Sequence, residues 1–131
     1  MERRLISSGS PWEPVVGFSR AVRVGDRVLV AGTIAVMPDG ADPPPDSYGQ
    51  AKRCLEIIVA ALAEAGATPA DVVRTRLLLA PEADFDEVAR AHGEVFREIR
   101  PASTGFFVHA LVDPRYHVEI EAEAVLTDGT R

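Results

Sequence analysis

Cysteine is almost missing from this chain. Cys54 stands alone among 131 residues, which excludes an intrachain disulfide and a cysteine-built zinc cluster and suits a reducing compartment. Long apolar runs are missing as well. No stretch approaches the ~18 residues of a membrane span, and the opening MERRLISSGSPWEP lacks the apolar run of a secretory signal. Basic charge is in deficit, with 14 Lys+Arg against 20 Asp+Glu and a net charge of -6. That balance repels phosphate backbones unless a local basic patch exists. Arg20, Arg23 and Arg27 alternate with apolar residues and read as a solvated strand face rather than a patch. The expectation is a cytoplasmic protein with neither a nucleic-acid nor a membrane partner, and with no cofactor. No metal is expected either, because His117 has no second ligand at metal-site spacing.

What remains is ample for one core. Hydrophobic residues make up 47% of the chain, enough for a single domain over residues 1–131. Ten prolines and ten glycines punctuate many short elements. Residues 1–17 read as irregular, because Pro11 and Pro14 break regular structure there. A hairpin follows from Phe18, turning at Gly25-Asp26 and running back from Val28 to Met37, with Gly25 supplying the positive φ of a type II′ turn. Ala51, Leu55, Ile58, Leu62 and Ala65 recur at four, three, four and three. That spacing predicts a helix over about 47–65, capped by Asp46 or Ser47 and ended by Gly66. Val72 to Leu79 reads as a strand. A second helix over about 84–100 presents Phe85, Val88, His92, Val95 and Ile99 on one face and stops before Pro101. Strands over about 103–112 and 116–126, joined at Asp113-Pro114, close the chain.

The order β-β-α-β-α-β-β makes an α+β sandwich, a mixed sheet with both helices on one face. The runs Val28-Leu29-Val30-Ala31, Leu77-Leu78-Leu79 and Phe106-Phe107-Val108 are apolar at consecutive positions, so both sheet faces are expected to be buried. Two helices cover one face only. A homo-oligomer whose sheets pack together would cover the other, since large exposed apolar patches are rare on monomers.

Six segments, in order, give the chain its resemblance. They are Phe18-Ser19-Arg20-Ala21, Val30-Ala31-Gly32, Glu64-Ala65-Gly66-Ala67, Asp71-Val72-Val73-Arg74-Thr75, Arg100-Pro101-Ala102 and Val118-Glu119-Ile120-Glu121-Ala122. Over about residues 15–126 the chain resembles the reactive-intermediate deaminase (Rid, or YjgF) family. That resemblance implies a chorismate-mutase-like fold, a homotrimer, and small-molecule ligand clefts between subunits. It also implies hydrolysis of small enamines and imines such as 2-aminoacrylate. In such chemistry an arginine holds the substrate carboxylate and a glutamate positions or activates water; a planar guanidinium fork meets a carboxylate with two hydrogen bonds.

Carried over position by position, the resemblance implies Glu119 as the catalytic carboxylate and places Ser103 where the family's arginine stands. Phe18 falls at the position often held by tyrosine, Ala31 at a common serine, and Ala89 at an asparagine. A neutral serine bond is worth ~0.5–1.5 kcal/mol against ~1.5–3 for a charged one. The expectation is therefore that activity on 2-aminoacrylate is lost and that the pocket serves another small imine-like or carbonyl compound.

The residues themselves leave alternatives open. By period two, His117, Glu119, Glu121 and Glu123 share a strand face. Glu119 is a general base with a pKa raised by burial, one end of an interface salt bridge, or part of a solvated face. Arg76 either replaces the missing cation or pairs with one of those carboxylates. His109 reaches the cleft beside Ser103 only if no bulge intervenes. His92 reads as a core residue, Ser103 as a hydrogen-bonding strand residue, and Cys54 as a small buried hydrophobe. Two rival functions remain beside the hydrolase: a non-catalytic ligand-binding trimer, and an endoribonuclease, which the acidic balance disfavours.

Overall fold

A computed structural model describes residues 2–127; Met1 and residues 128–131 of the expected 1–131 domain lie outside the described residues. Eight main elements follow one another: β1 (Arg3–Ile6), β2 (Ala21–Val24), β3 (Arg27–Thr33), α1 (Ser47–Glu64), β4 (Val72–Leu79), α2 (Phe85–Phe96), β5 (Ala102–Phe107) and β6 (Val118–Val125). The six strands form one sheet in the order β1-β2-β3-β6-β4-β5. Every pair is antiparallel except β4 with β5, so the sheet is mixed.

The hairpin turns where expected. Val24 pairs with Arg27 across Gly25-Asp26, and Gly25 alone of the two takes a positive φ, of 60°, as a II′ turn requires and a I′ turn does not. The N-terminal segment departs from expectation. Arg3–Ile6 pairs along β2 from Arg3↔Val24 to Ile6↔Ala21. Pro11 and Pro14 break the chain only after this strand, and Pro14 sits near the start of a π-helical turn, Glu13–Gly17.

Helix α1 begins at Asp46, whose carboxylate accepts from Gly49 N at 3.0 Å. It ends in a Schellman motif: Gly66, at φ 87°, donates to Ala63 O, and Ala67 donates to Leu62 O at 2.8 Å. Two arginines satisfy further terminal carbonyls. Arg4 Nη2 donates to Glu64 O at 2.8 Å and Arg23 Nη1 to Ala65 O at 2.7 Å. Arg23 is thus a cap on the helix C-terminus, where cations are favoured, rather than part of a solvated strand face.

Helix α2 starts on Asp84, whose side chain accepts from Glu87 N. Regular helix stops at Phe96 rather than running to Arg100. The chain makes one further turn, with Arg100 N donating to Phe96 O at 2.8 Å, and Arg100 takes φ 58°. Pro101 disfavours the right-handed helical conformation at the residue before it. β5 likewise ends at Phe107, short of Val112, and β6 begins at Val118 rather than Tyr116.

Both helices lie on one face. Val28, Val30, Leu77, Leu79, Val118, Ile120, Ala122 and Ala124 bury against Ala51, Leu55, Ile58 and Leu62 of α1 and Val88 of α2. The opposite face is open within one protomer. Leu29 keeps 49% exposure and Phe106 42%, on the face for which the consecutive apolar runs find no cover within one copy of the chain. Every residue of β5, an edge strand, is exposed.

Candidate functional site

β6 sets the site through simple alternation. Val118, Ile120, Ala122 and Ala124 point to the helices, which leaves Glu119, Glu121 and Glu123 on the open face. The register with β4 places Leu78, Arg76 and Arg74 opposite them. Arg76 Nη1 meets Glu121 at 3.1 Å and Glu123 at 3.7 Å, and Arg74 Nε meets Glu123 at 3.9 Å. Arg76 is therefore committed to carboxylates of its own sheet. His117, expected on the glutamate face, turns the other way. It precedes the strand, and its Nδ1 lies 2.9 Å from Ser47 Oγ at the start of α1.

Beside these ion pairs the open face is hollowed into a concavity of about 680 Å³. Phe18, Ala31 and Arg76 all border it, together with Glu13, Leu29 and Glu121. Three of the expected site residues thus gather at one place.

Glu119 is not among the residues that line this concavity; it packs on Gly32, next in sequence to lining Ala31, at a break in the ladder. Val30 pairs with Ala122 and Thr33 with Ile120. Three steps on β3 therefore match two on β6, and one extra residue bulges at Ala31-Gly32. The bulge brings Gly32 against the Glu119 side chain. A Cβ at residue 32 would fall on Glu119 Oε2 and come within 2.9 Å of its Cδ. The absent side chain at Gly32 is what makes room for this carboxyl.

The electrostatics follow from that packing. Burial raises the Glu119 pKa, Arg20 opposes the rise and Glu121 adds to it. Burial lowers the Arg20 pKa, against the pull of Glu13 and Glu119. Arg20 Nη2 donates to Gly32 O at 2.7 Å and the guanidinium lies 5.7 Å from the Phe18 ring centre. Its Nε is buried with no hydrogen-bond partner among the described residues. Like Arg23, Arg20 is not on a solvated strand face; its alternation with apolar residues gave no sign of this. Glu13 is held by Ser8, accepting from its N at 3.0 Å and its Oγ at 2.7 Å, and those bonds lower its pKa.

Ser103 lies on the other face. β5 runs parallel to β4 with Ser103 opposite Thr75, and Thr75 is buried on the helix side. Its Oγ1 is 2.8 Å from Ser103 Oγ and 2.8 Å from His92 Nε2. His92 packs on Phe96, ring centres 4.7 Å apart, and burial lowers its pKa. The histidine that the sequence marks as a core residue therefore bonds a side-chain hydroxyl as well. His109 is exposed beyond the end of β5, after Val108 N makes a last bond to Leu79 O. Cys54 is wholly buried, with its thiol pKa pushed up by that burial. Among the described residues, no three ligating side chains gather as a metal site would need, and no helix is long and apolar enough to cross a membrane.

Comparison with known proteins agrees with this architecture. The family described as Endoribonuclease L-PSP matches residues 9–126. An uncharacterized Streptomyces coelicolor protein, SCO2049, is 46% identical over 92% of this chain and 90% of its own length. The rat 2-iminobutanoate/2-iminopropanoate deaminase is 32% identical over 94% of this chain and 90% of its own. Among solved structures, Rv2704 from Mycobacterium tuberculosis, of the YjgF/YER057c/UK114 family, superposes with a TM-score of 0.86. It is 43% identical and covers 95% of this chain and 99% of its own. With the mixed sheet, the paired helices and the six sequence segments, these matches show that the chain belongs to the YjgF (Rid) family.

Proposed function

We infer that this protein binds a small metabolite in clefts between copies of itself and hydrolyses an imine or enamine there. The balance of that reaction is simple: a C=N–H group and water give C=O and ammonia. Glu119 would hold the attacking water and take its proton, a task suited to a carboxyl whose pKa is raised above its ordinary value by burial. The observation that carries this reading is the Gly32–Glu119 contact, where the bulge and the missing Cβ together lodge one half-buried carboxyl on the open sheet face.

The need for a second copy is argued from the sheet. Glu119 shares the open face with Leu78, whereas Ser103 shares the helix face with Thr75. The two cannot converge in one protomer. They can if the exposed β5 edge of one copy lies near the open face of the next, which would also cover Leu29 and Phe106. The homotrimer implied by the family resemblance is the assembly we favour.

The substrate is expected to differ from a plain 2-imino acid. A carboxylate arriving at residue 103 meets a neutral hydroxyl already bonded to Thr75. Arg76, the nearest substitute by sequence, is occupied by Glu121 and Glu123. Losing a bidentate cation costs about 2–4 kcal/mol, or at least ~30-fold in rate. Hydrolysis of 2-aminoacrylate, followed as ammonia release beside the rat deaminase, should fall short by that factor. A panel of small uncharged imines should include better substrates, and Glu119→Gln should abolish their turnover without altering assembly size. Full turnover by the variant would overturn the assignment.

A second reading has its own support. Phe18, Ala31 and Ser103 offer no charge to a ligand, which suits a binding protein without catalysis. A compound that raises the Tm and is recovered unchanged would favour it. The endoribonuclease reading has the net charge of -6 against it, and RNA left intact after long incubation would dispose of it.

A further inference from the structure

Three hydroxyl and imidazole groups on the helix face form an unbroken chain that the mechanism above leaves unused. Ser103 Oγ, Thr75 Oγ1 and His92 Nε2 are joined by two contacts of 2.8 Å each. Ser103 is exposed on the edge strand, Thr75 is fully buried, and His92 is half-buried on α2. The far end is thus open to a ligand and the middle is not open to water.

Hydrogen-bond grammar restricts this chain to two arrangements. A hydroxyl has one proton and two lone pairs, and a neutral imidazole nitrogen either donates or accepts. Thr75 has a single proton to give. If His92 Nε2 carries its own proton, it donates to Thr75, Thr75 donates to Ser103, and the Ser103 proton is free to point outward. If Nε2 is bare, Thr75 donates to it, Ser103 donates to Thr75, and only lone pairs face outward. A third arrangement, in which Thr75 accepts twice, strands a buried hydroxyl proton. Leaving such a donor unpaired is disfavoured.

The geometry points to His92, acting through the Thr75 hydroxyl, as the residue that decides whether Ser103 offers a proton or a lone pair to a bound ligand. The proton-offering state selects a ligand bearing a carboxylate or carbonyl oxygen, and the other state a ligand bearing an N–H. This deepens the reading given under Proposed function and rests on it only in placing Ser103 at the ligand cleft. His92 is a positioning residue here, since it touches Ser103 through Thr75 alone.

The surroundings of the ring keep the switch clean. It meets Thr75 of β4 and Phe96 of its own helix, and through Thr75 the Ser103 hydroxyl of β5. Burial is the one cause of its lowered pKa; no charged side chain contributes. Protonating His92 fixes Nε2 as a donor and so fixes Ser103 in the proton-offering state. By linkage, an oxygen ligand accepting from Ser103 must raise the His92 pKa, and its affinity must rise as pH falls.

The test needs no known ligand for its first arm. His92 is titrated by NMR of its ring nitrogens in the whole protein, in Ser103→Ala and in Thr75→Val. With Ser103 removed, the Thr75 proton loses its acceptor whenever His92 is charged, so the His92 midpoint should fall by about 0.4–1 pH unit, the worth of one net hydrogen bond. A merely structural His92–Thr75 bond would give the same midpoint in Ser103→Ala as in the parent, and that result overturns the proposal. The second arm adds 2-oxobutanoate as probe. The His92 midpoint should rise on saturation in the parent and stay fixed in Thr75→Val. A rise of equal size in Thr75→Val would mean that the ligand acts on His92 directly, which also overturns it. If 2-oxobutanoate fails to bind at any pH, the weak carboxylate binding expected of the cleft is met, and the first arm alone decides the relay.

Discussion

A side chain at residue 32 and the carboxyl of Glu119 would occupy the same space, because the β3 bulge turns Gly32 directly toward Glu119 Oε2. Gly32 does not take a positive φ, so its glycine is required by the close approach rather than by backbone conformation. Gly32→Ala should therefore either push Glu119 out of its niche or strain β3, with a cost of about 1–3 kcal/mol. Chemical denaturation reads the cost, and loss of imine turnover reads the displacement. A variant as stable and as active as the parent would show that the niche is slack.

The raised Glu119 pKa has a signed consequence for stability. Its folded value lies above the ordinary 4.5, so the folded state holds this proton more tightly than the unfolded one. The ionised carboxyl then costs stability above the folded pKa, and the cost disappears as pH falls toward 4.5 and below. Glu119→Gln removes the ionisation. It should melt higher than the parent at pH 7, with the difference closing by about pH 4. The effect is modest, since the group retains contact with solvent. Identical pH profiles for the two proteins would show that Glu119 is not desolvated.

Arg76 distinguishes structure from binding by a double-mutant cycle. It bridges Glu121 and Glu123, which share its sheet face, at a position about 40% exposed on its own side. Arg76→Gln should destabilise by roughly 0.2–1 kcal/mol, as partly exposed pairs do. Glu121→Gln in that background should recover part of the loss, because it removes a like charge beside Glu123. A ligand-binding Arg76 would instead leave denaturation unchanged and weaken affinity.

The elements were legible where a period or a cap announced them, and the site only in part. The α1 stripe Ala51, Leu55, Ile58 and Leu62 is wholly buried, and Gly25 and Gly66 take the positive φ their turns require. β1 went unread because four residues are too short to show alternation, and its pairing with β2 is a tertiary fact. Glu119 was visible from the period-two pattern, but its niche was not, because a bulge is a mismatch between two strands and neither sequence contains it alone. The face of Ser103 was hidden for a similar reason. β5 is exposed on both sides, so only its parallel register with β4 puts residue 103 beside Thr75. Arg20 and Arg23 looked like a solvated row because alternation reveals the side of a sheet but not what a long arginine reaches from it.

Assembly is the premise on which the cleft rests, and Leu29 tests it most directly. This residue sits on the open face, borders the concavity and keeps 49% exposure in one protomer. Leu5, beside Val22 on the neighbouring strand and 63% exposed, extends the same apolar surface. If copies pack through this face, the parent should sediment at micromolar concentration as an oligomer. Leu29→Arg places a charge in that interface, where an unpaired buried ion is strongly unfavourable, and should release single subunits. Those subunits should keep their fold, since a half-exposed position on the sheet face turned away from α1 changes stability by only about 0.5 kcal/mol. They should also lose ligand binding, because Ser103 and Glu119 would no longer face a common space. A parent that sediments as a single subunit, or a Leu29→Arg variant that binds ligand normally as one, would place the site within the protomer, where no arrangement of Ser103 and Glu119 can form it.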